Sequence, residues 1–396
     1  MKKYFIYILV ILLILITGGT YFNQQLKIFT FSPTKSAIQP GIQLTEQQIK
    51  PSATTITTDA TIPDIQVIAE NLRIPWEIAF LPSGEMLVTE RPGRLLKFPL
   101  RDDQEKDLLP DPRPIEISGV AHVGEGGLLG LAVHPQFNQN QWIYLYHTTH
   151  TDTGLVNLVE RYRLIDDQLT DKLIIIDHIL GSQFHDGGRI KFGPDGYLYI
   201  TTGDAQQSNL AQDINTLNGK ILRLTENGDI PADNQFNNPN YSYGHRNVQG
   251  ISWDDQNNLW ATEHGRSGVQ SGLDELNHIR SGQNYGWPEI QGDQTKTGIT
   301  SPIVQSGPND TWAPSGMVFW QGDIYFTGLR GQALYQYKIQ TQQLIQHFRQ
   351  QFGRLRTIVI GSDNLFYIAT NNTDGRGEPQ PGDDKIVRIN PQIFKN

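Results

Sequence analysis

DGYLYITTG, residues 195–203, decides the fold: a turn dipeptide runs into alternating aromatic and β-branched residues, the composition of a strand buried on both faces. Five other stretches have the same form: SGEMLVTE (83–90), NQWIYLYHT (140–148), NNLWATEHG (257–265), GDIYFTG (322–328) and DNLFYIAT (363–370). Several are followed by another strand that mixes basic and apolar residues, as in GRLLKF (93–98), GKILRL (219–224) and DKIVRI (384–389). The copies mostly recur at about 55 to 65 residues. One four-stranded propeller blade needs ~40 to 50, so long loops are inserted between strands. The pattern predicts an all-β, six-bladed β-propeller, with IQVIA (65–69) closing the ring against the last blade. A pair of sandwiches is the alternative architecture.

Around this repeat the chain divides into three parts. Lys2 and Lys3 precede an uncharged run from Tyr4 to Phe22, rich in Ile and Leu and close to the ~20 residues that cross a bilayer as a helix. Residues 1–22 are therefore a signal peptide or a transmembrane anchor. The run is long for a signal peptide, although cleavage after Gly19 is open. The lysines stay cytoplasmic, which places the rest of the chain outside, periplasmic or extracytoplasmic and membrane-held if the run is uncleaved. Residues 23–62 are a linker, rich in Ser, Thr, Pro and Gln from residue 32 onward, as suits a solvated tether. Residues 63–396 are the propeller.

Composition narrows the function. A net charge of -9, with 32 Lys and Arg and no basic run, argues against a nucleic-acid surface. Cysteine is absent, so there is neither a disulfide framework nor a thiolate metal site. The glycines around residue 125 lack the βαβ context and the spacing of a dinucleotide fingerprint. His147 and His150 have no evident third metal ligand.

A propeller brings distant loops to one mouth of its central channel, and the repeats end in polar residues: Glu90, His147, Asp204 and Glu263, with Arg330 just beyond the fifth. Singly, each reads as a solvated rim group. Together with HDGGRI (185–190), GHRNVQG (244–250) and GRLR (353–356), they converge on one site that holds a titratable base, carboxylates and several arginines.

The ordered series ERPGRL (90–95), GEGGLLGLAVHPQF (124–137), HDGGRIKFGPDGYLYITTGD (185–204), GKILRL, GHRNVQG, EHG (263–265), NYGWP (284–288), WAPSGM (312–317) and GRLR resembles the glucose/sorbosone dehydrogenase family over about residues 65–391. The resemblance implies a six-bladed propeller that uses pyrroloquinoline quinone (PQQ) and calcium to oxidise aldoses at C1 to the lactone, passing electrons to an external acceptor. It places the general base on His185 and the carboxylate that orients it on Asp204. Arg246 becomes the guanidinium that steadies charge developing on the reacting oxygen.

PQQ is a planar tricarboxylate, and arginine suits it through forked donors and a planar face. Arg354 and Arg356, two apart on a probable strand, point to one side and match the family's carboxylate clamp. Arg330 falls where the family has a basic residue on the cofactor, and Asn247 matches a cofactor-contacting amide. Gln249 is read as loop support. Calcium takes oxygen ligands, and the resemblance assigns it the carbonyls of Gly265 and Arg266, where relatives commonly have proline at the second position. Asp274 and Glu275 are either further calcium ligands or loop pins, the structural role being favoured. Glu125 stands where sugar-oxidising relatives often have glutamine beside the substrate, and is the candidate substrate-binding residue.

Two other classes stay open: a calcium-dependent lactonase-type hydrolase, which would need convergent carboxylate and asparagine side chains, and a non-catalytic binding propeller. Arg354 and Arg356 combined with His185 and Asp204 favour the dehydrogenase.

Overall fold

The computed structural model describes residues 45–47, 64–100, 108–268 and 271–395. The apolar run at 4–22 and all of the tether except Thr45–Gln47 lie outside the described residues.

Six sheets of antiparallel strands are arranged as blades. The first holds Pro75–Phe80, Met86–Glu90, Arg94–Phe98 and Arg113–Glu116; the second Leu128–Val133, Trp142–Thr151, Gly154–Ile165 and Gln168–Leu180. The third holds Ile190–Phe192, Leu198–Thr201, Lys220–Leu224 and Asn240–Tyr243; the fourth Val248–Trp253, Leu259–Glu263, Glu275–Ile279 and Val304–Gln305. The fifth comprises Pro314–Trp320, Asp323–Gly328, Ala333–Lys338 and Gln343–His347. The sixth comprises Leu355–Ile360, Phe366–Thr370, Ile386–Ile389 and, from the start of the domain, Ile65–Ala69.

Every copy of the sequence repeat is the second strand of its blade. Ile65–Ala69 pairs antiparallel with Ile386–Ile389, so the ring closes with a strand from its other end, as the sequence predicts. This leaves no open seam between the first and last blades. Thr45–Gln47 adds a parallel strand to the outer edge of the fifth blade, along Ile345–His347.

Strands flanked by blades on both sides must be apolar on both faces, and the described core divides accordingly. One apolar cluster fills each interface between neighbouring blades, as with Tyr144, Val159, Leu198 and Leu222 between the second and third, or Ile78, Val88, Tyr367 and Ile386 between the first and sixth. Burying each such side chain contributes about 1.5 to 3 kcal/mol, which makes the ring rigid enough to hold loops in register.

The channel has a polar cross-tie. Arg189 pairs with Glu77, its Nε donates to the Gln249 carbonyl at 2.9 Å, and Thr357 Oγ1 donates to Glu77 Oε1 at 2.8 Å. These groups come from four blades. They floor the mouth into which the candidate site residues project, with the Arg189 guanidinium 4.1 Å from the centre of the Trp76 ring.

Candidate active site

The loops that leave the second strands and those that enter the first strands meet at one end of the channel. They form a cavity lined by, among others, Trp76, Glu125, Gln249, Arg330, Arg354 and Arg356. Gly265, Arg266 and Asp274 line it too. Residues spread over more than half the chain are thus brought to one wall-to-wall site.

His185 sits on the loop entering the third blade, and Asp204 just past that blade's second strand. Nδ1 of His185 lies 2.7 Å from Asp204 Oδ1. The two loops touch closely: a Cβ on Gly203 would lie 1.8 Å from the His185 carbonyl oxygen, so only glycine allows this approach. His185 itself has φ +67, a left-handed conformation that is strained for a non-glycine residue and is held here by its surroundings. Asp204 is nearly fully buried, and its other oxygen accepts Trp287 Nε1–H at 2.8 Å. Burial works to raise the Asp204 carboxyl, but His185, the Arg246 charge and the Trp287 donor together hold it below the usual carboxylate range. An anionic Asp204 accepts a hydrogen bond from the imidazole Nδ1–H, which fixes the tautomer in which Nε2 carries the lone pair.

Arg246, on the loop entering the fourth blade, is buried and tied to Ser267 Oγ at 2.6 Å and to the Glu263 carboxylate through its backbone N–H. Its carbonyl accepts the Asp204 N–H at 2.8 Å, so the third and fourth blades share this corner. Its guanidinium lies 5.3 Å from the Trp287 ring centre. Burial lowers its pKa, partly opposed by Asp204 and Glu125.

The two clamp arginines differ. Arg354 forms a buried ion pair with Asp374 at 3.0 Å. Arg356 has only neutral hydrogen-bond partners among the described residues, Gln249 Oε1 at 2.9 Å, Asn371 Oδ1 at 3.2 Å and, more weakly, Ser315 Oγ at 3.5 Å. Burial, reinforced by Arg91 and Arg354 and only partly opposed by Asp374 and Glu125, pushes Arg356 down to about 9. A buried guanidinium with no carboxylate hydrogen-bonded to it among the described residues is a cation prepared for an anionic ligand. Arg330 lines the same cavity from the fifth blade and donates to Ser271.

Several buried donors have no partner among the described residues: Nε of Arg356, which lines the cavity, and Arg246 Nε, Asn247 Nδ2 and Asn371 Nδ2, on residues hydrogen-bonded to the lining residues Ser267, Gly187 and Arg356. Buried donors seldom go unpaired. The surplus fits a flat, multiply anionic molecule such as a quinone tricarboxylate, with Trp76 as an aromatic wall.

The metal candidates separate. Gly265 and Arg266 reach the cavity, although the Arg266 carbonyl accepts the Gly272 N–H at a long 3.3 Å. Asp274 is saturated as a loop pin: one oxygen takes the Gly265 N–H at 2.8 Å, the other takes Thr311 Oγ1, the Trp312 N–H and the Ala313 N–H. Glu275 does not line the cavity; its side chain accepts from Asn277, and burial and then the Glu263 charge push its carboxyl up to about 8. Among the described residues, no three His, Asp or Glu side chains are grouped to hold a metal. The rim readings divide likewise: His147 is paired with Glu160 at 3.1 Å, Glu90 with Arg94, and Glu263 with His245.

Glu125 spans two elements. Oε2 accepts the His185 backbone N–H at 3.0 Å, and Oε1 is paired with Arg376 at 2.8 Å. Burial would raise this carboxyl, yet Arg376, His185 and His264 hold it well below the usual range. Sequence reasoning passed over Arg376, which lies in a Gly- and Asp-rich loop with no periodic signal. It quoted NYGWP without giving Trp287 a role. That motif was the available clue.

The chain matches the family described as Glucose / Sorbosone dehydrogenase over residues 72–386. It is 32% identical over 350 residues to aldose sugar dehydrogenase YliI of Escherichia coli, covering 79% of this chain and 91% of that protein. Quinoprotein glucose dehydrogenase B of Acinetobacter calcoaceticus is 32% identical over 278 residues, 62% of this chain and 56% of that protein. The solved PQQ-bound form of an aldose sugar dehydrogenase from Streptomyces coelicolor is 35% identical, with a TM-score of 0.73 over 82% of this chain and 97% of that one. A match over residues 72–386, which takes in the loops at the mouth of the channel, shows that the chain belongs to the glucose/sorbosone dehydrogenase family, two of whose similar members are named as aldose sugar dehydrogenases.

Proposed function

We propose that the protein is a PQQ- and calcium-dependent aldose dehydrogenase that oxidises C1 of the sugar to the lactone and hands the electrons to an external acceptor. The observation that carries this reading is the His185–Asp204 pair, 2.7 Å apart, set directly beside the cavity: Asp186, the next residue, and Glu125, which accepts the His185 N–H, line it together with Arg356, a buried arginine with no hydrogen-bonded carboxylate among the described residues. A binding propeller has no need of an oriented base.

Arg356, Arg354 and Arg330 would hold the carboxylates of PQQ, with Asn247 Nδ2 as an amide donor and Trp76 as the wall. When bound, PQQ supplies an electrophilic carbonyl able to take hydride from C1. The protein's part is proton handling. His185 Nε2 accepts the C1 hydroxyl proton as the C–H bond weakens, and anionic Asp204 stabilises the imidazolium that results. Arg246 places positive charge beside the oxygen that becomes negative during this transfer, in a site whose burial strengthens the effect. Glu125 fixes the His185 main chain through its N–H, and its remaining acceptor capacity is available to sugar hydroxyls. The carbonyls of Gly265 and Arg266 are the oxygen donors offered to calcium.

The test is reconstitution. Apo-protein given PQQ and calcium should reduce a dye with a panel of aldoses, and chelation should abolish this until both components return. Equal turnover with NAD, or without any cofactor, would overturn the reading.

A further inference from the structure

Asp186 follows the proposed base directly and has no part in the account above. It lines the cavity and is 2% exposed. Its Oδ1 accepts Asn157 Nδ2 at 3.0 Å and the Ser182 N–H at 3.1 Å. Its backbone carbonyl accepts the Tyr146 hydroxyl at 2.7 Å. The residue is therefore fixed from the second blade and from its own loop. Oδ2, by contrast, is buried without a hydrogen-bond partner among the described residues. Arg91, the arginine nearest in charge effect, gives its donors to the Gly124 and Gly126 carbonyls instead.

An unpaired carboxylate oxygen in such a place is costly, whereas a neutral carboxyl carries its own donor and needs only an acceptor. No such acceptor is found among the described residues. Acceptors are abundant in a tricarboxylate quinone, which an anionic Asp186 would repel. The surroundings agree: burial raises the carboxyl to about 7, the Asn157 and Ser182 hydrogen bonds oppose this, and the Glu125 charge adds to it.

We propose that Asp186 is a neutral carboxylic acid in the resting protein and that its Oδ2–H is a hydrogen-bond donor this chain presents to an oxygen of the bound quinone. The inference rests on the PQQ reading given above. HDGG then supplies both a proton acceptor and a proton-bearing donor from consecutive residues of one loop. A ligand that needs the neutral form holds the proton in place, so binding takes up protons when it occurs near the titration of the free protein. The other titratable and charged groups facing this region are His185 and Glu125 on the adjoining loops, Arg91 from the first blade, His264 from the fourth, and Arg354, Arg356 and Arg376 from the sixth.

The experiment is calorimetric titration of apo-protein with PQQ, in buffers of different ionisation heat, for wild type and Asp186→Asn across pH values on both sides of 7. Asparagine keeps the shape and a donor but cannot titrate. The wild type should take up a proton that Asp186→Asn does not. Its affinity relative to the variant should fall about tenfold per pH unit above the free titration. Taking the difference removes contributions from His185, His264 and the quinone itself. Equal proton uptake and parallel pH profiles, with PQQ bound by both proteins, would overturn this inference and leave the cofactor reading intact. Failure of the wild type to bind PQQ at any pH would overturn both. Should the variant not fold, infrared titration of the wild type decides. A protonated-carboxyl band whose loss moves to higher pH on adding PQQ supports the proposal, and bands indifferent to PQQ sink it.

Discussion

Replacing Arg356 by methionine should separate cofactor binding from folding, and replacing Arg354 in the same way should not. Methionine keeps an unbranched stem and removes only the charge and donors. In the apo-protein, burial moves Arg356 from 12.5 to about 9, a penalty on its charged form of about 5 kcal/mol at ~1.4 kcal/mol per tenfold change. The sign is destabilising below the lowered value, because the group is charged in both folded and unfolded chains there. Losing that penalty offsets the loss of the two closer of its three hydrogen bonds, to Gln249 and Asn371, of about 1.5 to 3 kcal/mol each, the 3.5 Å contact to Ser315 being too long to add much. The net change in apo stability is therefore within about 2 kcal/mol of zero. Arg354→Met instead removes the ion-pair partner of Asp374, which is 1% exposed at its side chain and is left with the Arg376 N–H and the charges of Arg356 and Arg376, and should cost about 3 kcal/mol of stability, at the low end for a broken buried pair. Toward PQQ, Arg356→Met should cost about 2 to 5 kcal/mol, or roughly 30- to 5000-fold in affinity. Urea melts of the two apo-variants and calorimetric titration with PQQ give both numbers. Wild-type affinity in Arg356→Met, or a stability loss equal to that of Arg354→Met, would refute the reasoning.

Asp204→Asn should lower kcat with little change in PQQ affinity, and its effect should not add to that of His185→Ala in the double variant, since both act on one proton transfer; single-turnover kinetics of the three proteins check this. Trp287→Phe removes the donor to Asp204 Oδ2 while keeping an aromatic ring beside Arg246, and should produce a smaller loss of kcat in the same assay. Glu125 and Asp204 both have lowered pKa values, so the stability they contribute is complete above the ordinary carboxylate range and is lost as pH falls through their depressed values. Thermal melts should accordingly show Glu125→Gln less stable than wild type at neutral pH, with the gap closing in acid. Arg376→Gln should leave Glu125 buried beside His185 without its cation, lowering kcat and raising the Glu125 pKa. A kcat–pH profile with an acid limb moved to higher pH is the readout.

The fold was legible because its signal is repeated. Each copy of the strand motif had to be apolar on both faces to fit between two blades, and this requirement shows in DGYLYITTG as plainly as in GDIYFTG. Ring closure by Ile65–Ala69 was legible for the same reason. Within the site, the family resemblance pairs His185 with Asp204, 19 positions apart on two loops of one blade, and the two side chains lie 2.7 Å apart. Contacts between blades could not. Glu125 and Arg376 are separated by 251 positions and Asp204 and Trp287 by 83, and in both pairs the partners stand on irregular loops where no period constrains the residue type. Nor does a sequence show that Asp274 spends both oxygens on loop donors, or that Arg354 is ion-paired with Asp374 while the hydrogen-bond partners of Arg356 among the described residues are neutral. Those facts depend on how the loops fold over one another.

The central claim is that His185 is the base of a quinone-linked sugar oxidation. Stopped-flow reduction of PQQ bound to the protein with calcium, on mixing with a good aldose, tests it most directly when wild type and His185→Ala are compared at full cofactor occupancy. The account predicts rapid reduction in the wild type and a loss of about 10² to 10⁴-fold in the variant, with PQQ still bound. A His185→Ala protein that reduces its quinone at the wild-type rate would contradict it and place the base elsewhere in the channel.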